Sequence, residues 1–571
     1  MRRVFVAMTL ATALHAQSPV ADLVLVNGKV ITVDARDRVA QAIAVRDKKI
    51  VAVGTDAEIA RWVGPKTERI DLKGHAVTPG LIDAHAHILS GAISRYTQID
   101  LQYPNATRVA QVQALVAARA KELSAGAWVL GDGWDEGKLD EKRLLRASDL
   151  DAVSGDHPVW LAHTTGHYGV ANSAALRLAG ITRDSKDPPA GTIDRDADGT
   201  PTGVLKESAQ ILVTRLIPPT SAAESERSLS RLTQELNREG MTAFKDPSID
   251  ATDWAAYQAV RARGELSARA FVLWGGQGGP RAVRRIIEER GATTRPYEST
   301  GDDHLISGGV KLFADGSGGA RTAWVWSPWN RNTVEMDGTN TGYPAMNPDS
   351  LRESIRLLHN AGIHVSVHAI GDRAIDWVVQ SYAQVLAERP TKGLRHGIIH
   401  ANIPSDSAIA TIARLQRDYD AAYPEPSATF TWYIGDVYAA NFGARAKRLN
   451  PFATFQRNGI RWANGSDFPV TPFPARYGIW SAVARQTLLQ RDPNDPFGRA
   501  ESVDVRTALK AVTIWAAHQL FLDTKVGSIE VGKYADLAVW DRDPYTVPSA
   551  QLKDMTCQLT LLDGRVVYRA P

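Results

Sequence analysis

The sequence predicts an α/β protein: a (β/α)8 TIM barrel with insertions, beside a small composite β-sandwich formed by both chain termini. Strand-like and helical segments alternate through the middle of the chain, as is typical of a parallel sheet covered by helices. Histidine and aspartate residues follow several strand-like runs, at the strand ends where barrel active sites are built. Short strand-like segments occupy both ends of the chain, which predicts the sandwich.

The composition is that of a globular protein, since 44% of the 571 residues are hydrophobic and 23% are charged. This length accommodates one large barrel domain with insertions. The net charge of +3 is spread along the chain without a basic block, which argues against nucleic acid as a partner. The single cysteine, Cys557, excludes an intrachain disulfide and a cysteine-rich zinc site. Any metal must therefore be held by histidine, carboxylate or modified lysine side chains.

The first 16 residues have the pattern of a secretory signal peptide. The chain begins with Met1-Arg2-Arg3, continues with an apolar stretch to Leu14 and offers a small residue for cleavage at Ala16. The stretch is too short to span a bilayer, and no later segment is long and apolar enough to do so. We expect cleavage of residues 1–16 and export of the mature protein to the periplasm or the medium.

The two chain ends are predicted to supply the two parts of the β-sandwich, residues 17–75 and residues 523–571. Both contain short apolar segments separated by turn residues such as Asn-Gly and Asp-Gly. The strand-like segments are Asp22–Val33 around an Asn27-Gly28 turn, a hairpin over Ala42–Val53, Asp536–Asp541, and Leu559–Tyr568 around Asp563-Gly564. We expect the two ends to pack together beside the barrel.

Residues 76–522 are predicted to form the barrel. Their helical and strand-like patterns alternate, which favours a parallel sheet. Helical patterns cover Val109–Leu123, Ser221–Glu239, Leu351–Ala361 and Val505–Leu520, and strand-like runs cover Ala76–Ile82, His304–Phe313, Ile363–His368, Gly397–His400 and Gly459–Ala463. Two stretches rich in glycine and tryptophan, Ser317–Tyr343 and Pro424–Tyr438, are predicted to be long loops over the active-site face.

The segment Asp83-Ala84-His85-Ala86-His87 is the strongest single indication of chemistry. It follows the apolar run Ala76–Ile82, and residues two apart on a strand point to the same face. Two imidazoles on one face can bind a divalent metal, and neutral imidazole suits zinc, iron, nickel or copper. A metal with an open coordination position activates water for hydrolysis. The alternative is a pair of structural histidines.

Four further positions repeat the pattern of an apolar run followed by a residue of ligand type. Each alone is more often structural, and Lys311 in particular could extend toward solvent or pair with Asp315. Together they indicate one metal site drawn from several strand ends. The positions are Lys311 in Gly309–Gly316, His368 in Ile363–Asp372, His400 in His396–Asn402, and Asp467 in Ile460–Pro469.

In this order, the motifs resemble those of the amidohydrolase superfamily, and most nearly its subgroup amidohydrolase family 3, which includes proteins similar to N-substituted formamide deformylase. The likeness spans nearly the whole mature chain. The motifs that carry it are Pro79–His87, Val310-Lys311, His368–Asp372, His400, Gly465–Asp467, Gly166-His167 with Asn172–Leu176, Gly191–Arg195, Gly199–Leu205 and Val526–Asp541.

The resemblance implies a metal-dependent amidohydrolase that cleaves a non-peptide C–N bond of a small molecule. It implies a divalent metal, with zinc favoured, as one or two ions per chain. The implied metal residues are His85, His87, Lys311, His368, His400 and Asp467, where Lys311 matches a position that carries a carboxylated lysine in binuclear members. Asp467 is also the implied general base, and His167 the implied oxyanion donor or substrate-recognition residue.

Two alternatives remain open at the level of sequence. One is a non-catalytic relative in which the fold serves binding, and the other is a hydrolase of C–O bonds or of cyclic amides, because a fold does not fix a reaction. The 15 tryptophans have either packing roles or a role in an apolar pocket. We expect Trp324, Trp326, Trp329 and Trp432 to lie near the site and to favour a substrate with an apolar or aromatic group.

Overall fold

The computed structural model describes residues 20–294, 302–331, 338–490 and 497–571. The predicted signal peptide, residues 1–16, lies outside these ranges. Within them, we find no helix with the length and apolar character needed to cross a membrane.

The strands of the described residues belong to four sheets. In chain order they are β1 (Leu23–Val26), β2 (Lys29–Ile31), β3 (Val39–Ala40), β4 (Ala42–Arg46), β5 (Lys49–Gly54), β6 (Glu68–Asp71), β7 (Ala76–Pro79), β8 (Leu81–Asp83), β9 (Ile99–Asp100), β10 (Val129–Trp134), β11 (Val159–His163), β12 (Tyr168–Ala171), β13 (Gly191–Arg195), β14 (Pro201–Glu207), β15 (Met241–Ile249), β16 (Arg269–Gly275), β17 (Leu305–Phe313), β18 (Val365–Ala369), β19 (Gly397–His400), β20 (Tyr423–Glu425), β21 (Leu537–Trp540), β22 (Cys557–Leu562) and β23 (Arg565–Arg569).

The α-helices separate most of the strands of the central sheet. They are α1 (Asp56–Ala60), α2 (Ile88–Thr97), α3 (Val109–Glu122), α4 (Ala147–Ser154), α5 (Ser173–Leu178), α6 (Ile211–Thr214), α7 (Ala222–Arg238), α8 (Ala251–Ala262), α9 (Gly279–Arg290), α10 (Pro348–Asn360), α11 (Asp372–Glu388), α12 (Asp406–Tyr419), α13 (Gly435–Phe442), α14 (Phe452–Arg457), α15 (Ala475–Ala484), α16 (Val505–Ala511) and α17 (Ile514–Gln519).

The central sheet has seven strands in the order β8, β15, β16, β17, β18, β19 and β20, and every neighbouring pair is parallel. Its strands are nearly continuous apolar runs; in β17, for example, every residue except Phe313 is buried. Such runs are typical of parallel strands that helices cover. The architecture is therefore a TIM-like α/β fold, as the sequence predicts.

The predicted strand over Gly459–Ala463 is wrong as a regular strand, although its segment has the expected place. Ala463 N donates to Pro424 O in β20, and Ala84 N, directly after β8, donates to Asn464 O. The segment thus hydrogen-bonds to both edges of the seven-stranded sheet. Pro424 and Pro426 have no N–H to donate in return, so a complete hydrogen-bond ladder cannot form there.

The apolar run Ala76–Ile82 is also not one strand, because it divides at Gly80 into β7 and β8, which belong to different sheets. A Cβ atom at Gly80 would lie 2.2 Å from Oγ1 of Thr242, so only glycine permits this close approach. His85 and His87 therefore follow the strand end rather than lie on the strand, and His87 directly precedes α2.

The predicted helix over Val505–Leu520 is two helices, α16 and α17. The break leaves Ala511 O to accept from Asn464 N and Val512 O to accept from Ile82 N. These two bonds replace helical hydrogen bonds and attach the break to the segments that flank the site. The interruption is thus a tertiary effect that helical periodicity does not reveal.

Strands from both chain ends share one six-stranded sheet, in the order β23, β22, β21, β7, β2, β3. The two termini therefore lie together in the fold. A second sheet contains β5, β4, β1 and β6. The Asn27-Gly28 turn does not close a hairpin, because β1 and β2 enter different sheets. One buried apolar cluster contains residues of both sheets, including Leu25, Val30 and Leu561.

A third element of the fold is the insertion between the first and second strands of the central sheet, which contains β9–β14. These six strands form their own sheet around a separate apolar core that includes Trp134 and Leu161. The insertion positions the site, because the loop between β11 and β12 and the end of β14 both reach the cavity described next.

Candidate metal centre and its cavity

A cavity of about 820 Å³ lies at the carboxyl ends of the central strands. This is the edge of the sheet where barrel proteins build their active sites. Of the sequence-predicted site residues, six line the cavity: His87, His167, Lys311, His368, His400 and Asp467. His85 is fully buried beside them.

The cavity ends at a tight group of His85, His400 and Asp467. One ligand atom from each of these residues lies within 4.8 Å of the others. His85 Nε2 is 3.2 Å from Asp467 Oδ1, and His400 Nε2 is 3.9 Å from Asp467 Oδ2. Among the described residues, the two ring nitrogens of His85 and the Nδ1 atom of His400 have no hydrogen-bond partner. Buried polar atoms are normally paired, so these nitrogens fit a metal ion.

The protonation of these imidazoles also fits a metal. Burial holds the pKa of His85, of His400 and of His368 well below the usual value for histidine, and neighbouring cationic groups lower each further. Neutral imidazole is the form that binds metal ions. Two buried histidines and a carboxylate form a donor set that suits zinc and other divalent transition metals.

His87 completes a third histidine contact to the same carboxylate. Its Nε2 lies 3.5 Å from Asp467 Oδ1, and its side chain is 27% exposed to the cavity. Burial lowers the pKa of His87 to about 3, with Lys311 as the largest charged contributor. The backbone N–H of His87 donates to Phe468 O, which fixes the residue against the loop that carries Asp467.

Lys311 lies on β17, the fourth strand of the sheet, with its side chain almost completely buried. Its Nζ is 4.4 Å from the centre of the Phe313 ring. Burial lowers the pKa of Lys311, while Asp467 and Glu425 act in the opposite direction. A lysine with a lowered pKa has more of the neutral amine, which is the form that can be modified.

His368 is the last residue but one of β18, the fifth strand, but its Nε2 contacts protein atoms rather than the three-residue group. It lies 2.9 Å from Gly316 O and 3.5 Å from Asp315 Oδ1. The His368 ring nevertheless packs on the His400 ring, with centres 4.7 Å apart. The structure therefore brings His368 to the same cavity end but gives Nε2 a backbone partner.

Asp467 is held by a buried neighbour that sequence reasoning missed, Asp83. The Asp83 carboxylate accepts hydrogen bonds from His85 N, from Ser466 N and from Ser466 Oγ at 3.1, 3.0 and 2.6 Å. It thus joins the loops that carry His85 and Asp467. Burial raises the pKa of Asp467 to about 7, against the opposing effects of Lys311 and His167. A carboxyl with such a pKa can accept and release a proton near neutrality.

His167 enters the cavity from the insertion, and its partner Glu207 is a second residue that sequence reasoning missed. His167 Nδ1 lies 2.9 and 3.1 Å from the two Glu207 oxygens. Burial alone would lower the pKa of His167, but the Glu207 carboxylate raises it above its usual value. The sequence motif Gly199–Leu205 ends two residues before Glu207 and does not indicate a histidine partner.

A second group of ligand-type residues, Asp135, Glu136 and His163, lies in the insertion. Here the ligand atoms already have protein partners. The Tyr168 hydroxyl is 2.9 Å from both Glu136 oxygens and 2.8 Å from His163 Nε2, and Lys138 Nζ is 3.1 Å from Asp135. This group is a closed hydrogen-bond network, so the first group is the better candidate for a metal.

The four loop tryptophans that we expect near the site do not line the described cavity. They are occupied elsewhere in the fold: Trp324 packs against Trp377 and Arg373, Trp326 donates to Asp376, Trp329 packs against Phe442, and Trp432 packs against Tyr477 and Trp480. The apolar part of the wall comes instead from residues such as Ile211, Phe313 and Met346.

Comparison with known families gives a match over most of the chain. The sequence model of the Amidohydrolase family matches residues 68–568. The chain is 29% identical to the N-substituted formamide deformylase of Arthrobacter pascens, over 96% of this chain and 98% of that protein. It is also 29% identical to protein LONG AFTER FAR-RED 3 of Arabidopsis thaliana, over 96% of this chain and 92% of that protein.

Comparison with solved structures gives the same fold. The crystal structure of an uncharacterized metal-dependent hydrolase from Pyrococcus horikoshii superposes with a TM-score of 0.70. The two proteins are 23% identical, and the match covers 92% of this chain and 99% of the other.

Proposed function

Because the chain belongs to the amidohydrolase family and is a metal-dependent hydrolase, we propose that it hydrolyses a non-peptide, amide-type C–N bond of a small molecule. The observation that carries the proposal is the convergence of His85, His87 and His400 on the Asp467 carboxylate at the end of a large cavity. The likeness to an N-substituted formamide deformylase supports an N-acyl or N-formyl amine as substrate.

We propose that this end of the cavity holds one or two divalent ions, with zinc favoured by the donor set. A bound ion of this kind lowers the pKa of water and polarises a carbonyl oxygen. The residues that would hold it are His85, His87, Lys311, His368, His400 and Asp467. A carboxylated Lys311 would favour two ions, and an unmodified Lys311 would favour one.

In this proposal Asp467 is the general base. Its oxygens lie within 3.2–3.9 Å of three histidine nitrogens, so the carboxylate stands beside the residues that would hold the metal, where it can accept a proton from water and later donate one to the leaving nitrogen. His167 lines the same cavity, and its Nδ1 is already bonded to Glu207. In the imidazolium form, which the Glu207 carboxylate favours by raising the pKa of His167, Nε2 also carries a proton, and this is the atom that we propose donates to the developing oxyanion or to substrate.

The cavity wall offers no arginine to a substrate carboxylate, which supports a substrate without such a group. Lys311 is the only lysine or arginine among the described lining residues, and the same wall contains four carboxyl side chains: Asp132, Glu207, Asp315 and Asp467. A substrate carboxylate would find no guanidinium partner there. The apolar side chains of Ile211, Phe313 and Met346 favour a substrate with an apolar or aromatic group.

A substrate panel on the metal-loaded protein tests the proposal. N-formylbenzylamine, N-acetylbenzylamine, benzyl formate and a cyclic amide would be compared by direct measurement of the acid and amine or alcohol released, with Asp467→Asn as the blank. We expect N-formylbenzylamine to be the best substrate of the four. Preferential cleavage of the ester or the cyclic amide would replace the proposed bond class, and no cleavage of any member would contradict the proposal.

We also propose the cellular localisation and the domain organisation that the sequence predicts. In this proposal residues 1–16 are a cleaved signal peptide and the mature protein is exported. Residues 17–75 and 523–571 form a composite β-sandwich beside a barrel of residues 76–522. The sheet in which β7 pairs with both β2 and β21 supports the sandwich and adds β7 to it. Cell fractionation with N-terminal sequencing tests the first part, and retention of residue 1 would contradict it.

A further inference from the structure

We propose that Glu207 is the positioning residue for His167: it holds the imidazole by Nδ1 so that Nε2 faces the metal end of the cavity. The inference rests on the proposed function of His167 at that site. The inference adds Glu207, a residue of the insertion, to the site residues proposed above, which otherwise include only His167 from the insertion.

The contact between the two residues is close and doubly fixed. The Glu207 carboxylate lies 2.9 and 3.1 Å from His167 Nδ1, and both side chains are less than one-fifth exposed. In addition, Glu207 N donates to His167 O at 2.8 Å. The backbone and the side chain of Glu207 therefore both hold the loop that carries His167.

Glu207 is itself held from the barrel side. Thr322 Oγ1 donates a short hydrogen bond to Glu207 Oε1 and accepts one from Ser317 N at 3.0 Å. A Cβ atom at Gly316 would lie 2.4 Å from Glu207 Oε1, so the loop after β17 packs directly on the carboxylate. The carboxylate thus connects the insertion to the strand that carries Lys311.

The backbone of Glu207 adopts a conformation that residues with a side chain seldom take, with φ 51° and ψ −127°. Such conformations persist where surrounding contacts enforce them, and they occur often at functional sites. Here the enforcing contacts are the hydrogen bonds to His167 and Thr322. This backbone conformation turns the chain at the end of β14, so that the Glu207 side chain reaches His167.

The direction of the imidazole follows from the occupied nitrogen. A carboxylate beside Nδ1 keeps that atom protonated in both the neutral and the cationic ring, which fixes the ring orientation and, in the neutral ring, the tautomer. The His167 ring centre is 5.3 Å from that of His368, at the metal end of the cavity. Nε2 is therefore the only ring nitrogen left to reach a molecule bound in the cavity.

Two variants at Glu207 separate positioning from simple support of the loop. Glu207→Ala removes the acceptor, whereas Glu207→Gln keeps the size and an oxygen that can accept from Nδ1. Glu136→Gln is the matched control, because Glu136 is a buried carboxylate of the same insertion that does not line the cavity. All variants would be compared in kcat, KM, metal content and thermal unfolding.

We expect Glu207→Ala to lower kcat by about 10- to 100-fold, the usual effect of removing a partner that orients a functional histidine. KM and metal content should change little, and Glu207→Gln should recover part of kcat. In a His167→Ala background, Glu207→Ala should have no further effect. An equal loss of kcat in both backgrounds would overturn the proposal, because Glu207 would then not act through His167.

A second measurement does not depend on turnover. The ¹⁵N shifts of the His167 ring, assigned by the signals lost in His167→Gln, report which nitrogen carries the proton. At a pH high enough for the ring to be neutral, we expect a single Nδ1–H form in the wild type and in Glu207→Gln, and a mixture of tautomers in Glu207→Ala. An unchanged tautomer in Glu207→Ala would overturn the proposal, even if no substrate were hydrolysed and the proposed function itself failed.

Discussion

His85 Nε2 lies 3.2 Å from Asp467 Oδ1, although His85 follows the first strand of the central sheet and Asp467 follows the segment beyond the last. The Asp83 carboxylate explains this proximity, because it accepts hydrogen bonds from the loop of His85 and from Ser466 beside Asp467. Asp467 N also donates to His85 O at 2.7 Å, so the two loops are held by Asp83 and by the backbone of Asp467 rather than by its side chain. Substitution of Asp467 therefore tests chemistry rather than loop position.

Replacement of Asp467 by asparagine should abolish most of the turnover and leave the fold intact. Asparagine has nearly the same shape but cannot take a proton, and loss of a general base typically costs about 10²- to 10⁴-fold in rate. The check is kcat on the best member of the substrate panel, with near-ultraviolet circular dichroism as the test of folding. A folded Asp467→Asn variant with the kcat of the wild type would show that Asp467 is not the general base.

Metal content provides a direct test of the cavity end. Elemental analysis of protein purified without chelator should give one or two divalent ions per chain, and His85→Asn should lower that number because it removes a buried ligand. His75→Asn is the control, since His75 lies outside the cavity lining. About two ions, reduced by Lys311→Met, would support a carboxylated Lys311. No bound metal after reconstitution would contradict the metal assignment.

The stability of the protein should depend on pH through Asp246, which burial gives a pKa of about 7. The corresponding value in an unfolded chain is about 4. Because the folded state binds this proton more tightly, the contribution to stability is complete below about pH 4 and is lost as the pH rises to about 7. Asp246→Asn removes that titration while its amide oxygen can still accept from Leu89 N.

Urea unfolding of both proteins from pH 4 to pH 8 measures this effect. Relative to Asp246→Asn, the wild type should lose a few kcal/mol of unfolding free energy across the interval, at about 1.4 kcal/mol for each unit of pKa shift. A difference between the two proteins that stays constant with pH would show that Asp246 is not the titrating group.

Arg269 should be a strong determinant of stability, because it connects β16 with the sheet formed by the termini. Its buried guanidinium contacts the carboxylates of Asp536 and Asp563. Arg269→Met leaves both carboxylates without this partner, and breaking a buried pair costs about 3–5 kcal/mol. Arg183→Met, which removes an exposed pair with Asp198, should leave the unfolding midpoint unchanged. Equal effects of the two variants would contradict the prediction.

Replacement of Trp432 by alanine should affect stability rather than substrate choice. The Trp432 ring packs against Tyr477 and Trp480 and does not line the described cavity. We expect a loss of about 2 kcal/mol from the removed apolar contacts. The ratio of kcat/KM for aromatic and alkyl N-formyl amines should change less than twofold. A selective loss of kcat/KM for the aromatic substrates would indicate that Trp432 contacts the substrate.

The sequence alone determined the family and the identity of the residues that gather at the cavity. Apolar runs followed by His85, His368, His400 and Asp467 were visible without a structure, because buried parallel strands are continuous in sequence and functional side chains follow their ends. The alternation of strands and helices likewise predicted the parallel sheet, and the strand-like ends of the chain predicted that the two termini pack together.

Only the tertiary structure decided which groups face one another. Glu207 pairs with His167, Asp83 joins the loops of His85 and Asp467, and the loop tryptophans pack away from the cavity. It also decided that the segment before Asp467 lies between the two edges of the sheet without forming a ladder. The physical reason is that periodicity in sequence reports the burial of one element, whereas a contact between distant elements depends on how those elements pack.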